Sequence, residues 1–89
     1  MRVEYRQQFL RDLKKLRKQP VYKQLYDLAF EMLPNAKSLQ DVPNVKAIVG
    51  ASERYRIRLG NYRVGIVAGE EGLELFRVLH RKEFYRYFP

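Results

Sequence analysis

Apolar positions in this chain change their period part-way along, from helical spacing before residue 34 to strand alternation after residue 44. In RVEY, residues 2–5, Val3 and Tyr5 fall on one side of a short predicted strand. From Gln7 to Lys18 the apolar residues Phe9, Leu10, Leu13 and Leu16 recur at helical spacing, with Arg11, Lys14, Lys15, Arg17 and Lys18 opposite. Pro20 suits the first turn of a second helix. Its stripe is Val21, Tyr22, Leu25, Leu28, Ala29, Met32 and Leu33, and Pro34 is expected to stop it. A joint of about two or three residues makes the pair an antiparallel helical hairpin.

The segment PNAKSLQDVPN, residues 34–44, reads as a connecting loop. Val45–Val49 then suits a strand, Gly50-Ala51-Ser52 a turn, and Arg54–Leu59 a second, strictly alternating strand. Gly60-Asn61 is a two-residue hairpin signal, with glycine where φ must be positive, and Tyr62–Ala68 is the returning strand. Gly69-Glu70-Glu71-Gly72 turns the chain into Leu73–His80, and the tail RKEFYRYFP forms a short helix or packs back. The expected fold is one α+β domain over residues 1–89. Two N-terminal helices pack on one face of a small antiparallel sheet.

A two-residue loop at Gly60-Asn61 fixes the register of the hairpin. Leu59 faces Tyr62, Arg58 faces Arg63, Ile57 faces Val64 and Arg56 faces Gly65. Tyr55, Ile57, Leu59, Tyr62, Val64 and Ile66 then share the face that packs on the helices. Arg54, Arg56, Arg58 and Arg63 share the other. Like charges directly opposite cost up to ~1 kcal/mol, so an arginine pair here argues for an anionic ligand over a merely solvated face. The planar fork of arginine favours phosphate. Gly65 beside Arg56 is expected to leave a bare patch where a ligand approaches closely. FRVLHRKEFYRYF, residues 76–88, brings Arg77, His80, Arg81, Lys82, Tyr85 and Arg86 near the same sheet. The second turn can be read with different loop lengths, so the faces taken by Arg77 and His80 stay open. His80 is either structural or a proton carrier; Tyr85 is either a base-stacking aromatic or core.

Composition narrows the function. The net charge is +8, from 18 Lys+Arg against 10 Asp+Glu, a balance typical of proteins that meet nucleic acid, an anionic membrane or an acidic partner. There is no cysteine and one histidine, which excludes disulfides, cysteine nucleophiles and thiolate metal sites and makes an imidazole cluster improbable. No metal or cofactor is expected. No apolar run approaches the ~20 residues that cross a bilayer, and MRVEYRQQ has no signal-like apolar region. A cytoplasmic chain is expected.

The chain resembles the RelE/ParE superfamily of toxins from bacterial type II toxin–antitoxin pairs, and its RelE-type branch in particular. The resemblance runs nearly end to end, through VEYRQQFLRDLKKL, KAIVG, YRIRLGNYRVGI and RVLHRKEFY. It implies a microbial-ribonuclease-like RelE fold and a ribosome-dependent endonuclease that cuts mRNA in the A site and so inhibits translation. In such enzymes the 2′-hydroxyl of the mRNA attacks the adjacent phosphate. The family's basic strand residues match Arg56 and Arg58, its arginine after the hairpin matches Arg63, and its later arginine and tyrosine match Arg81 and Tyr85. The best-known member has lysines where Arg56 and Arg58 stand, and arginine is a poor base. The resemblance thus makes Arg63 and Arg81 phosphate holders, Arg56 and Arg58 transition-state stabilisers, and His80 or Tyr85 the acid or base. Arg11, Lys14, Lys15, Lys18, Lys46 and Lys82 are the expected RNA-binding residues. The implied partners are the ribosome, mRNA and an acidic, partly disordered antitoxin, with no membrane. The alternative is a ParE-like inhibitor of DNA gyrase that cuts no RNA.

Overall fold

The computed structural model describes residues 1–89. In chain order its elements are β1 (Val3–Tyr5), α1 (Gln7–Lys15), α2 (Tyr22–Asp27), α3 (Leu33–Asn35), β2 (Val45–Ala47), β3 (Arg54–Leu59), β4 (Tyr62–Gly69), β5 (Gly72–His80) and α4 (Phe84–Tyr87). The mixed α+β plan follows the change of period in the sequence. Five strands form one sheet in the order β1-β5-β4-β3-β2. Neighbouring strands from β2 to β5 are antiparallel, but β1 lies parallel to β5, with Val3 opposite Leu73 and Tyr5 opposite Leu75. The sheet is therefore mixed rather than purely antiparallel. A parallel neighbour needs a long crossover, and the chain between the two strands supplies it.

The helices differ in their ends from the sequence expectation. α1 stops at Lys15, three residues short of Lys18, where the Leu16 and Arg17 amides close a tighter last turn by donating to the Leu13 and Lys14 carbonyls three residues back. α2 runs straight into a π-helical turn, Leu28–Met32, in which the Leu33 amide donates to the Leu28 carbonyl five residues back. Pro34 lies inside α3 instead of ending the helix before it. In a regular α-helix its ring would press on the carbonyl four residues earlier, and the wider π turn ahead of it eases that clash.

Two apolar clusters lie on opposite sides of the sheet. The main core joins Phe9, Leu13, Leu25, Leu28, Ala29 and Leu33 of the helical segment to Ile57, Val64, Ile66, Leu73, Leu75 and Val78 of the sheet. Phe84 and Phe88 are also buried, 0% and 2% exposed, but belong to the other side. There the C-terminal segment folds back, so the tail both forms a short helix and packs. No helix is long and apolar enough to cross a membrane.

A β-bulge at the β4–β5 register settles the phase of β5. Gly65 pairs with Arg77, and Ile66 pairs with Leu75, so Phe76 has no partner of its own. One extra residue resets the alternation. Leu73 and Leu75 before the bulge, and Val78 after it, all reach the main core. Arg77 consequently falls on the arginine side and His80 on the helix side.

Candidate functional site

The hairpin between β3 and β4 has the register that Gly60-Asn61 implies: Leu59 opposite Tyr62, Arg58 opposite Arg63, Ile57 opposite Val64 and Arg56 opposite Gly65. Gly60 carries the positive φ, +59°. The Arg58 amide donates outward, to the Asn44 carbonyl at 3.1 Å. Arg58 and Arg63 therefore form a non-hydrogen-bonded pair, the kind whose Cα atoms approach to about 4.5 Å. Lys46 pairs with Arg56 from the edge strand β2, so it joins the same face.

Two further groups reach this face from the C-terminal end. The Arg81 amide donates to the Asn61 carbonyl at 2.7 Å, which ties the turn after β5 to the hairpin tip. Tyr85 rides on α4 and is 61% exposed. The electrostatics of Arg63 record the gathering. Burial, then the charges of Arg56 and Arg58, hold its pKa below the usual arginine value; Arg81 adds in the same direction and Tyr85 opposes it. The Arg63 guanidinium donates to the Gly60 carbonyl at 2.9 Å and the Tyr62 carbonyl at 3.0 Å, which fixes it at the hairpin tip.

No carboxylate compensates this cluster. The ion pairs of the molecule are Arg2 with Glu4 and Glu71, Arg6 with Glu74, Lys23 with Asp27, and Arg77 with Asp12. Arg56, Arg58, Arg63 and Arg81 have none. Four arginines without acidic partners thus share one region, with Tyr85 among the groups whose charge acts on Arg63, and planar guanidinium forks left unpaired in this way can accept an anion.

The other sequence candidates lie apart. His80 pairs with Tyr62 and meets its ring edge-on at 5.4 Å between centroids, on the helix side of the sheet. Its Nδ1 accepts the Lys82 amide at 3.2 Å, which leaves the proton of the neutral ring on Nε2. His80 is not brought together with the arginines, and the bulge at Phe76 is the reason. Arg11, Lys14, Lys15 and Lys18 are exposed along α1 and the turn after it, where with Gln8, Arg17 and Gln19 they line a shallow basic groove. Lys82 is exposed in the turn beside Arg81. The open patch expected at Gly65 is not there: Gly65 is buried, and the Phe88 ring occupies the space a side chain would take.

The sequence reading missed Asp12. This residue is 5% exposed, and its carboxylate accepts from Arg77 Nε at 2.7 Å, Arg77 Nη2 at 3.2 Å, the Val78 amide at 3.1 Å and Gln8 Nε2 at 3.1 Å. It satisfies the free edge of β5 beyond the end of β1 and draws Arg77 out of the cluster. The Arg77 guanidinium in turn lies 5.3 Å from the centre of the Tyr87 ring.

Known proteins match the whole chain. The family described as "ParE toxin of type II toxin-antitoxin system, parDE" matches residues 3–85. Toxin RelE3 of Methanocaldococcus jannaschii is 40% identical over 91 aligned positions, covering 100% of both chains. Among solved structures, the RelB–RelE antitoxin–toxin complex from Methanococcus jannaschii matches with a TM-score of 0.77 and 36% identity, covering 97% of this chain and 99% of that one. The toxin–antitoxin complex RelBE2 from Mycobacterium tuberculosis has a TM-score of 0.67 at 24% identity, covering 89% and 95%. At that identity the likeness speaks for the fold alone.

Proposed function

The chain belongs to the RelE/ParE superfamily of toxins from type II toxin–antitoxin systems, and from that premise we propose that it is a RelE-type endonuclease that cuts mRNA in the ribosomal A site. The observation that carries this reading is the uncompensated cluster of Arg56, Arg58, Arg63 and Arg81 around Tyr85. The mRNA 2′-hydroxyl attacks the adjacent phosphorus and gives up its proton to solvent water, the bond to the 5′-oxygen breaks as that oxygen takes a proton, and a cyclic phosphate and a 5′-hydroxyl result. Arg63 and Arg81 hold the non-bridging oxygens of the phosphate. Arg56 and Arg58 stabilise the charge that grows on them in the transition state, where fixed donors act most strongly. Neither arginine can serve as the base. With His80 on the far side of the sheet, Tyr85 is the group left to handle a proton, at the departing 5′-oxygen.

The basic groove of α1 faces away from the cluster and serves a second contact. Arg11, Lys14, Lys15 and Lys18 bind ribosomal RNA phosphates, a sequence-blind attraction that weakens with salt. Lys46 and Lys82 extend the mRNA track. The partner in the uninhibited cell is an acidic, partly disordered antitoxin that covers the arginine face, as suits a surface with no acids of its own. The neighbour at 36% identity, solved as a RelB–RelE antitoxin–toxin complex, supports an antitoxin partner.

The family match carries the ParE name, and a gyrase inhibitor on this fold is the competing reading. A gyrase inhibitor has no need of a clustered phosphate site, and the full-length relative at 40% identity is named RelE3. The deciding experiment induces the wild type and Arg63→Ala and maps 5′ ends on a reporter mRNA. The expected result is cuts at A-site codons ending in 5′-hydroxyls, reduced at least about 100-fold by Arg63→Ala, with the variant still folded. Intact mRNA in arrested cells together with inhibited supercoiling would reverse the assignment.

A further inference from the structure

Gly65 occupies the middle of the arginine face, between Arg56 on β3 and Arg77 on β5. Its backbone does not call for glycine, because its φ is outside the left-handed region. Mid-strand glycine is also unfavourable relative to alanine. What the position uses is the missing side chain. A Cβ placed there would lie 2.7 Å from Phe88 Cδ2 and Cγ and 2.9 Å from Cε2, closer than side chains pack. Phe88 lies flush on the bare strand, with Phe76 at 5.9 Å and Phe84 at 5.5 Å between ring centroids.

Phe84 and Phe88 bracket α4, and the Phe88 amide donates to the Phe84 carbonyl at 2.9 Å. A helix of one turn has little stability of its own. Its place on the sheet therefore comes from these two buried rings, with a lesser contribution from Tyr87 over Arg77. Tyr85 lies between them in sequence, is largely exposed, and is among the groups whose charge acts on Arg63. Any displacement of Phe88 from Gly65 moves the whole turn and the Tyr85 hydroxyl with it.

We infer that Gly65 and Phe88 are positioning residues: the side-chain-free strand position admits Phe88, and Phe88 sets where Tyr85 stands relative to the Arg63 cluster. This inference rests on the role of Tyr85 in cleavage given above. Neither residue touches substrate; both act through α4. Evolution of a larger residue at position 65 would satisfy the strand and misplace the phenol.

The test compares wild type, Gly65→Ala, Phe88→Ala and the double variant, each with and without Tyr85→Phe. Two readouts are taken: single-turnover cleavage of mRNA on programmed ribosomes, and the rate of tryptic cutting after Arg81, Lys82 and Arg86 relative to Arg17. Gly65→Ala is expected to lower the saturated rate about 10- to 100-fold, as misplacement of a reacting group does. The half-saturating ribosome concentration stays the same, and cutting in the tail rises. The double variant is no slower than Phe88→Ala, and in the Tyr85→Phe background neither change costs more. A wild-type rate with a wild-type tryptic pattern for Gly65→Ala overturns the inference. So do additive losses, or losses that persist without the Tyr85 hydroxyl. If Gly65→Ala does not fold, Phe88→Leu applies the same test without altering the strand. If the wild type cuts no mRNA, the functional reading fails by itself, and the tryptic pattern of Gly65→Ala alone decides whether Phe88 depends on the bare strand.

Discussion

Replacing Asp12 by alanine removes the one carboxylate that closes the free edge of β5. The side chain is 5% exposed and accepts four hydrogen bonds. Two of its partners suffer when it goes. The Val78 amide is left buried without an acceptor, which costs about 1–3 kcal/mol. Arg77 loses its counter-charge, and breaking a buried pair costs about 3–5 kcal/mol. The Arg77 side chain keeps 22% of its surface exposed, so it can turn toward water and recover part of that. The two effects also overlap at one carboxylate. We therefore expect a loss of about 3 kcal/mol, near the low end of the pair range.

That is a large share of the about 4–13 kcal/mol that a chain of this length holds in reserve. With an unfolding entropy of about 190 cal/mol/K for this size, it lowers the melting temperature by about 15 °C. Urea and thermal unfolding followed by circular dichroism measure both quantities. Asp12→Asn is the control: it keeps an acceptor for the Val78 amide and removes only the charge, so it should lose about half as much. A loss under about 1 kcal/mol for Asp12→Ala, or an Asp12→Asn variant less stable than Asp12→Ala, would refute the reasoning.

The arginine pair across the hairpin should cost the free protein stability: Arg58→Thr is expected to raise stability by up to about 1 kcal/mol at low salt. The gain should shrink as salt screens the pair, and a destabilised variant at low salt would count against the register argument. Tyr5 supplies a pH test. Burial raises its pKa above the ordinary tyrosine value, and its hydroxyl donates to the Ala29 carbonyl at 2.6 Å. The folded state thus favours the neutral phenol. Its contribution is complete below the unfolded pKa of about 10 and is lost as pH climbs through the raised folded value. Stability measured from pH 8 to 11 should fall more steeply for wild type than for Tyr5→Phe.

The hairpin was legible because Gly60-Asn61 ties register to loop length, and register assigns every arginine a face. The helical stripe was legible too, apart from its ends, where the tightened turn after Lys15 and the π turn before Pro34 are set by backbone hydrogen bonds rather than by periodicity. Asp12 left a signal that went unread. It occupies an inward position among Phe9, Leu13 and Leu16, where a carboxylate needs a buried partner. What sequence could not supply was the bulge at Phe76, since one unpaired residue in β5 leaves no mark in composition. The seat of Phe88 on Gly65 was equally hidden, because it joins strand and tail across the sheet.

That single unpaired residue decides the chemistry of the arginine face. Had β5 kept its alternation beyond Leu75, Val78 and His80 would have pointed with the arginines, while Arg77 and Leu79 would have pointed into the core. A buried Arg77 among Val64 and Leu13 would have had no water to retreat to. The bulge resolves the conflict by returning Val78 to the core, and Arg77 then reaches round the edge to Asp12. The same step carries His80 to the helix side, against Tyr62. Core packing of β5 and the absence of an imidazole from the cluster are therefore one structural event. Under the proposed function such a site works by holding charge: three arginines on the sheet and Arg81 in the turn after β5, with the opposite face of the sheet supplying the stability, and a phenol on a short helix whose proposed anchor is a missing side chain.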